Sequence, residues 1–282
     1  GVALAVNGEK GMIVHPKKVI MATGASENPL AFPGWTLPGV VGAGAIQTMI
    51  NVHRVPVGSK VLMIGSGNVG LIVTYQLLQS GADVAGIVEA APTVGGYGVH
   101  SAKVRRAGVP MYTGHTVLKA VPNEDLSGVK GAIIAEVDEK FQPIKGTEQF
   151  IECDTIGIAV GLTPEIGLPS MADVTFINAG RLGAQVPMHD RDMMTTKDGI
   201  YVAGDSAGVE EASSAIEEGK LAGTAAAAAL GKIDEETARE AKANVWNSLN
   251  QLRTGPFGSG RAEAKEEIIR EMDEWKVRNN AC

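Results

Sequence analysis

Three glycines, Gly65, Gly67 and Gly70, spell G-x-G-x-x-G across Gly65-Ser66-Gly67-Asn68-Val69-Gly70. This spacing can hold a pyrophosphate. The first glycine permits a tight turn, the second lets the backbone approach the phosphates, and the third lets a helix sit close to the preceding strand. A helix opening there offers unpaired N–H groups and a partial positive charge. Glu89 stands nineteen residues after Gly70, at the end of the next apolar run. A carboxylate in that place accepts hydrogen bonds from ribose hydroxyls and repels a 2′-phosphate. The following Ala90-Ala91-Pro92-Thr93-Val94 has no arginine to receive such a phosphate. The pattern points to a dinucleotide, NAD rather than NADP. The plain alternative is a glycine-rich turn followed by a surface glutamate.

Other reactive side chains stand apart. Cys153 and Cys282 form no CxxC, which argues against a disulfide scaffold, a zinc site and a dithiol redox centre. Cys153, within Phe150-Ile151-Glu152-Cys153-Asp154, reads as a core thiol. His100 and His115 have no partner at catalytic or metal-ligand spacing and suit surface or hairpin positions. Met193-Met194 and Trp35 read as packing. The net charge of −7 lacks the footprint of a nucleic-acid binder, and Lys103-Val104-Arg105-Arg106 reads as a solvated helix face. No run reaches the ~18 apolar residues of a membrane helix, and no secretory signal opens the chain. A reducing, cytoplasmic setting is expected. The start at Gly1 leaves open a missing upstream segment or a processed end.

The elements that must position the glycine turn have the βαβ pattern. Val61 to Ile64 is a short apolar strand, Val69 to Leu78 a largely apolar helix, and Ser80-Gly81 its end, with glycine where a left-handed cap is needed. Val84 to Val88 is a second strand, Ser101 to Ala107 a helix, and Val109 to Tyr112 a third strand. This context separates a binding motif from a chance glycine turn. Upstream, Val2 to Val6 and Met12 to His15 alternate about Asn7-Gly8 as a hairpin. Lys18 to Ala22 reads as a fully buried strand ending at Thr23-Gly24. Asn28 to Gly39, rich in Pro and Gly, has the features of an interdomain linker. Beyond His115 the period is two, and Val117 to Val121, Val129 to Val137, Gln149 to Cys153 and Thr155 to Val160 read as antiparallel or edge strands. Gly199 to Ala203 is a buried strand ending at Gly204-Asp205. A small-residue helix follows from Glu211 to Leu230, then a helical tail from Asp234, interrupted at Thr254-Gly255-Pro256-Phe257-Gly258.

The order of Ala22-Thr23-Gly24, the glycine motif and Gly204-Asp205 resembles the two-dinucleotide-binding-domain flavoproteins, the pyridine nucleotide-disulfide oxidoreductase type. A closer resemblance is to the α-type subunits of sarcosine oxidase, opine oxidase, dye-linked proline dehydrogenase and hydrogen cyanide synthase. It is carried by Phe32-Pro33-Gly34-Trp35-Thr36-Leu37-Pro38-Gly39-Val40, Gly204-Asp205-Ser206-Ala207-Gly208 and Glu217-Glu218-Gly219-Lys220-Leu221-Ala222-Gly223. The resemblance covers most of residues 1 to 231. It implies that the strands before Thr23-Gly24 and Gly204-Asp205 belong to an FAD domain and that an NAD domain is inserted between them. By the same resemblance, Asp205 binds the flavin ribityl hydroxyls and Gly161 lies near the nicotinamide. Two departures follow. The superfamily's first glycine motif, which holds the FAD pyrophosphate, is absent. The cysteine-rich iron–sulfur segment of the larger relatives is reduced to Cys282, too few ligands for a cluster.

The expected fold is α/β, with a Rossmann-like NAD domain inserted between two parts of an incomplete FAD domain. Its divisions are residues 1–39, a flavin-domain remnant and linker; 40–162, the NAD domain; 163–231, the remaining flavin part; and 232–282, the helical tail. The expected cofactor-binding residues are Gly65, Ser66, Gly67, Asn68, Val69, Gly70, Glu89, Gly161, Thr23, Gly24, Gly204 and Asp205. No catalytic side chain and no metal ligand is named. The expected function is a subunit or fragment of an FAD-dependent oxidoreductase that exchanges electrons between NAD(H) and a flavin, in an amine or imino-acid dehydrogenase context. A partner subunit or upstream half would complete the FAD site. Two alternatives stand: a self-contained NADH:acceptor oxidoreductase that has lost its first flavin half, and a nucleotide-binding structural subunit without chemistry.

Overall fold

A computed structural model describes residues 3–6 and 11–280, with side chains from 11 to 279. The turn expected at Asn7-Gly8 and Cys282 lie outside the described residues. In chain order the strands and helices are β1 (Ala3–Val6), β2 (Gly11–Val14), β3 (Val19–Met21), β4 (Ala25–Glu27), β5 (Val40–Gly42), α1 (Ala43–Thr48), β6 (Lys60–Ile64), α2 (Asn68–Gln79), β7 (Asp83–Glu89) and α3 (Gly98–Arg106). Then come β8 (Met111–Thr113), β9 (His115–Pro122), β10 (Val129–Glu136), β11 (Gln149–Glu152), β12 (Thr155–Ile158), β13 (Leu162–Pro164), α4 (Gly167–Met171), β14 (Phe176–Ala179), β15 (Ala184–Pro187) and β16 (Ile200–Val202). Three helices close the chain: α5 (Ala212–Ala229), α6 (Glu235–Leu252) and α7 (Gly255–Asn280). Two compact units divide it, residues 27–161 and residues 1–26 with 162–282.

The unit of residues 27–161 is built on a five-stranded parallel sheet in the order β5-β12-β6-β7-β8. Side chains alternate across a strand, and β6 makes the consequence plain. Val61 and Met63 enter one core with Leu71, Val73 and Leu77 of α2 and Val104 of α3. Leu62 and Ile64 enter the other with Val117 and Ala120 of β9 and Ala132 and Ile134 of β10. The parallel sheet is thus covered by helices on one face and by the antiparallel sheet β11-β10-β9 on the other. That double cover is why its strands read as continuous apolar runs.

Three expectations are corrected here. Thr155–Ile158, expected as an antiparallel or edge strand, is fully buried and runs parallel to both β5 and β6. Its partners are distant in sequence, and periodicity carries no information about them. The segment expected to be a linker is packed: Phe32 is buried in the core with Leu30 and Leu37, and the Ala120 N–H donates to Pro33 O at 2.9 Å. Trp35, expected to pack, is 41% exposed.

In the other unit, β3 and β16 pair in parallel, Val19 with Ile200 through Met21 with Val202. The strand expected to be fully buried is only partly so, since Ile20 is 43% exposed. β1 and β2 form the antiparallel pair, Ala3 with Val14 to Val6 with Gly11. Small residues on α5 (Ala222, Ala225 and Ala226) let it pack closely on β16 and on Val245 and Leu249 of α6. Asp234 caps α6 by accepting the Thr237 N–H at 2.8 Å, with Glu235 and Glu236 favourably placed in its first turn. α7 restarts after Thr254 with Pro256 in its opening turn, where the missing N–H costs nothing, and buries Ile268 against Leu182 and Val186. No helix among the described residues is long and apolar enough to cross a membrane.

Candidate functional site

The glycine turn follows β6, whose last four residues are buried. Gly65 has φ +103°, and its N–H donates to Val88 O at 2.7 Å. A side chain on it would strike the carbonyl oxygen of Ala159. A side chain on Gly70 would strike the carbonyl oxygen of Gly65 and stand 3.3 Å from the Ala159 methyl. Both glycines are therefore required by the protein's own packing. Gly67 differs. Apart from its chain neighbours, nothing lies within 4 Å of where its Cβ would stand. The fold leaves open space over Gly67, beside the N-terminus of α2. That helix carries no acidic residue in its own first turn and no side-chain cap, so its positive end is not neutralised from within the helix.

Ser66 is 1% exposed. Its N–H and its hydroxyl both donate to Glu89 Oε2, at 2.9 and 2.6 Å. The Ala91 N–H donates to Glu89 Oε1 at 2.8 Å, and the Ser66 hydroxyl accepts the Gly95 N–H at 3.0 Å. The Glu89 carboxylate is thus fixed at the mouth of the glycine turn, with acceptor capacity left on Oε1. Asn68 Oδ1 accepts the Tyr97 N–H at 2.8 Å, tying the loop after β7 to the start of α2. Val69 is 39% exposed at the same helix end. Gly161 has φ +116°, and its carbonyl accepts the Asn28 N–H at 3.0 Å. The residues of the glycine motif and Glu89 come together. The hydrogen bonds of Ser66 to Glu89 were not legible in the sequence.

The second group of expected residues lies in the other unit. Thr23 and Gly24 follow β3, and Gly204 and Asp205 follow β16. Because those strands are parallel neighbours, both turns emerge at the same end, the carboxyl end where α/β sheets bind ligands. The Thr23 hydroxyl donates to Glu165 O at 2.9 Å, and the Ser206 hydroxyl reaches Met21 O at 3.3 Å and Ala203 O at 3.1 Å. Burial raises the Asp205 pKa, against the Glu210 N–H that donates to its Oδ1 at 3.4 Å.

Behind Asp205 lies a buried charge cluster that the sequence did not disclose. Arg253 donates to both Glu210 oxygens at 2.8 and 3.0 Å and to Glu218 Oε1 at 2.6 Å. Lys265 Nζ stands 2.7 Å from the same Glu218 oxygen and donates to Ala207 O at 2.9 Å. Glu218 Oε2 accepts the Gly204 N–H at 3.0 Å. Burial works against the Arg253 charge, but Glu210 and Glu218 outweigh it and raise its pKa. A signal did exist. Glu218 shares a helix face with Leu221, Ala222 and Ala225, and Lys265 shares one with Ile268, Ile269 and Met272, at the i+3, i+4, i+7 spacing of a buried stripe. His189, beside Lys265 and Arg253, is buried and pushed down to about 3 by loss of solvation. Among the described residues no group of His, Cys, Asp and Glu could hold a metal ion.

The pyridine nucleotide-disulphide oxidoreductase family matches residues 3–219. The chain belongs to that family. Within this oxidoreductase family, the chain is 31% identical over 242 residues to an opine oxidase subunit of Agrobacterium tumefaciens (strain Ach5), covering 84% of this chain and 48% of that one. It is 30% identical over 228 residues to the alpha subunit of sarcosine oxidase from Corynebacterium sp. (strain P-1), covering 80% and 22% respectively. The chain thus spans about half the length of the first relative and under a quarter of the second. Thioredoxin reductase of T. acidophilum shares the fold at TM-score 0.64 and 21% identity, over 77% of this chain and 67% of that chain. The α/β fold and the resemblance to α-type flavoprotein subunits hold.

Proposed function

We propose that this chain is a subunit or fragment of an FAD-dependent oxidoreductase that exchanges electrons between NAD(H) and a flavin. The observation that carries the NAD half is the contrast among the three glycines. Gly65 and Gly70 answer to the protein's own atoms, whereas the space over Gly67 answers to none. Pyrophosphate at the N-terminus of α2 fills it, Glu89 takes the adenine ribose, and Gly161 lies toward the nicotinamide. NAD(H) supplies a hydride when bound, and a flavin is its acceptor.

On the flavin side, Thr23, Gly24, Gly204 and Asp205 stand at one end of a parallel strand pair and suit the ribityl chain. The adenine half of FAD needs a second glycine turn before a helix, and in this sequence the one such turn serves NAD. A partner subunit or upstream half therefore completes the FAD site. The subunit names of the opine and sarcosine oxidase relatives support a place in a multi-subunit complex, which on this reading oxidises an amine or imino acid. Calorimetric titration of the purified chain with NAD+ and with FAD tests the reading. Binding of NAD+ with little or no FAD is expected; the reverse selectivity overturns it.

A further inference from the structure

We infer that Lys265, on the C-terminal helix α7, is a positioning residue for the flavin-facing turn of Asp205. The inference rests on the proposed role of Asp205. The turn Gly204–Ala207 is gripped at both ends by one buried ion pair. Glu218 accepts the N–H that opens the turn, Lys265 donates to the carbonyl that closes it, and the two side chains meet at 2.7 Å. Asp205 sits between these points. A third hold comes from Glu210, whose N–H donates to Asp205 while Arg253 clamps its carboxylate.

Stability alone is a poor reason for this arrangement. A buried ion pair is commonly no more stabilising than apolar side chains of the same volume, and removing one partner is costly. Lys265 lies on the apolar stripe of α7, only 2% exposed, where a leucine or methionine would pack without desolvating a charge. What an apolar residue could not do is donate to Ala207 O and orient Glu218 toward the Gly204 N–H. The family match ends at residue 219. Glu210 and Glu218 thus fall inside the matched stretch, while Arg253 and Lys265 fall beyond it. The helices after α5 add the cations that fix a turn belonging to the family's own pattern.

The test compares Lys265→Met, the charge-balanced pair Lys265→Met with Glu218→Gln, and Asp205→Ala in the complete native protein. FAD affinity is read by quenching of flavin fluorescence, and amide exchange by mass spectrometry. Lys265→Met should weaken FAD binding about tenfold or more, as loss of a buried charge-assisted hydrogen bond does. It should speed exchange at Gly204 to Gly208 while leaving exchange in β6 and NAD+ affinity unchanged. The balanced pair removes the unpaired charge and should fold, yet keep the weakened FAD binding, because Ala207 O still lacks its donor. If that pair, or Lys265→Met itself, binds FAD as the unsubstituted protein does, the positioning role is wrong. If Asp205→Ala leaves FAD affinity unchanged, the fault lies in the reading of Asp205, and the positioning role falls with it.

Discussion

Glu89 and Ser66 are joined twice, with the serine N–H and hydroxyl converging on one carboxylate oxygen at 2.9 and 2.6 Å. The residue that would select the ribose on the proposed reading is thereby locked to the residue between the first two glycines of the turn. A carboxylate so held cannot swing away from an incoming phosphate.

NAD(H) should therefore bind about a hundredfold more tightly than NADP(H), the scale of a like charge set against a fixed one. Glu89→Ala should shrink that preference and also loosen the turn, since Ser66 loses its acceptor. Calorimetry with both nucleotides checks each point. Equal or tighter NADP(H) binding by the unsubstituted chain removes the role given to Glu89.

The glycines separate binding from folding. Gly67→Val projects into open space, so the variant should fold normally and lose dinucleotide binding. Gly70→Ala meets the Gly65 carbonyl oxygen and should lose about 1–3 kcal/mol of stability, as overpacked cores do. Thermal unfolding and nucleotide titration of the two variants should show opposite defects. A Gly67→Val variant with full affinity would reduce the motif to a turn.

Cys153 should be chemically silent. It is 3% exposed, and burial pushes its thiol up to about 12, leaving almost no thiolate at neutral pH. Thiol reagents should not label it in the folded chain. Replacing Cys153 and Cys282 with Ala should leave NADH-dependent dye reduction by the holo-protein within a few-fold. A loss of about a hundredfold would expose a thiol role.

Acid should weaken the unit that holds Asp205. His189 is held near 3 by burial, with the Lys265 and Arg253 charges adding and Asp190 opposing. Its unfolded value is about 6.5. Below that pH the unfolded chain binds a proton that the folded chain refuses, so stability falls from pH 6.5 toward 3. The loss is about 5 kcal/mol at most from this group. His189→Gln should flatten the pH dependence of unfolding in that window. An unchanged slope would mean that other groups dominate.

On the proposed reading, the isolated chain should show NAD+ binding but little flavin absorbance after incubation with FAD, and supplying a complementary flavin-binding half, in cis or as a partner, should restore it. Stoichiometric flavin in the isolated chain would overturn the assignment of the glycine turn.

The sequence by itself determined whatever is local. The Gly65-Gly67-Gly70 spacing, the apolar run before it, the glycine after α2 and the distance to Glu89 all follow from neighbours a few residues apart, where sterics and helix geometry act directly. Only the tertiary structure decided what depends on distant partners. Val61–Ile64 and Thr155–Ile158 are both short apolar runs, but which strands lie beside Thr155–Ile158 depends on how the sheet is assembled. Phe32 belongs to a core because β9 happens to cover it. Arg253, between α6 and α7, carries no local mark of burial, and Lys265 shows only its place on an apolar stripe. They are buried because the tail folds back onto two carboxylates of α5 and the loop before it, and that pairing has no signature shorter than the fold.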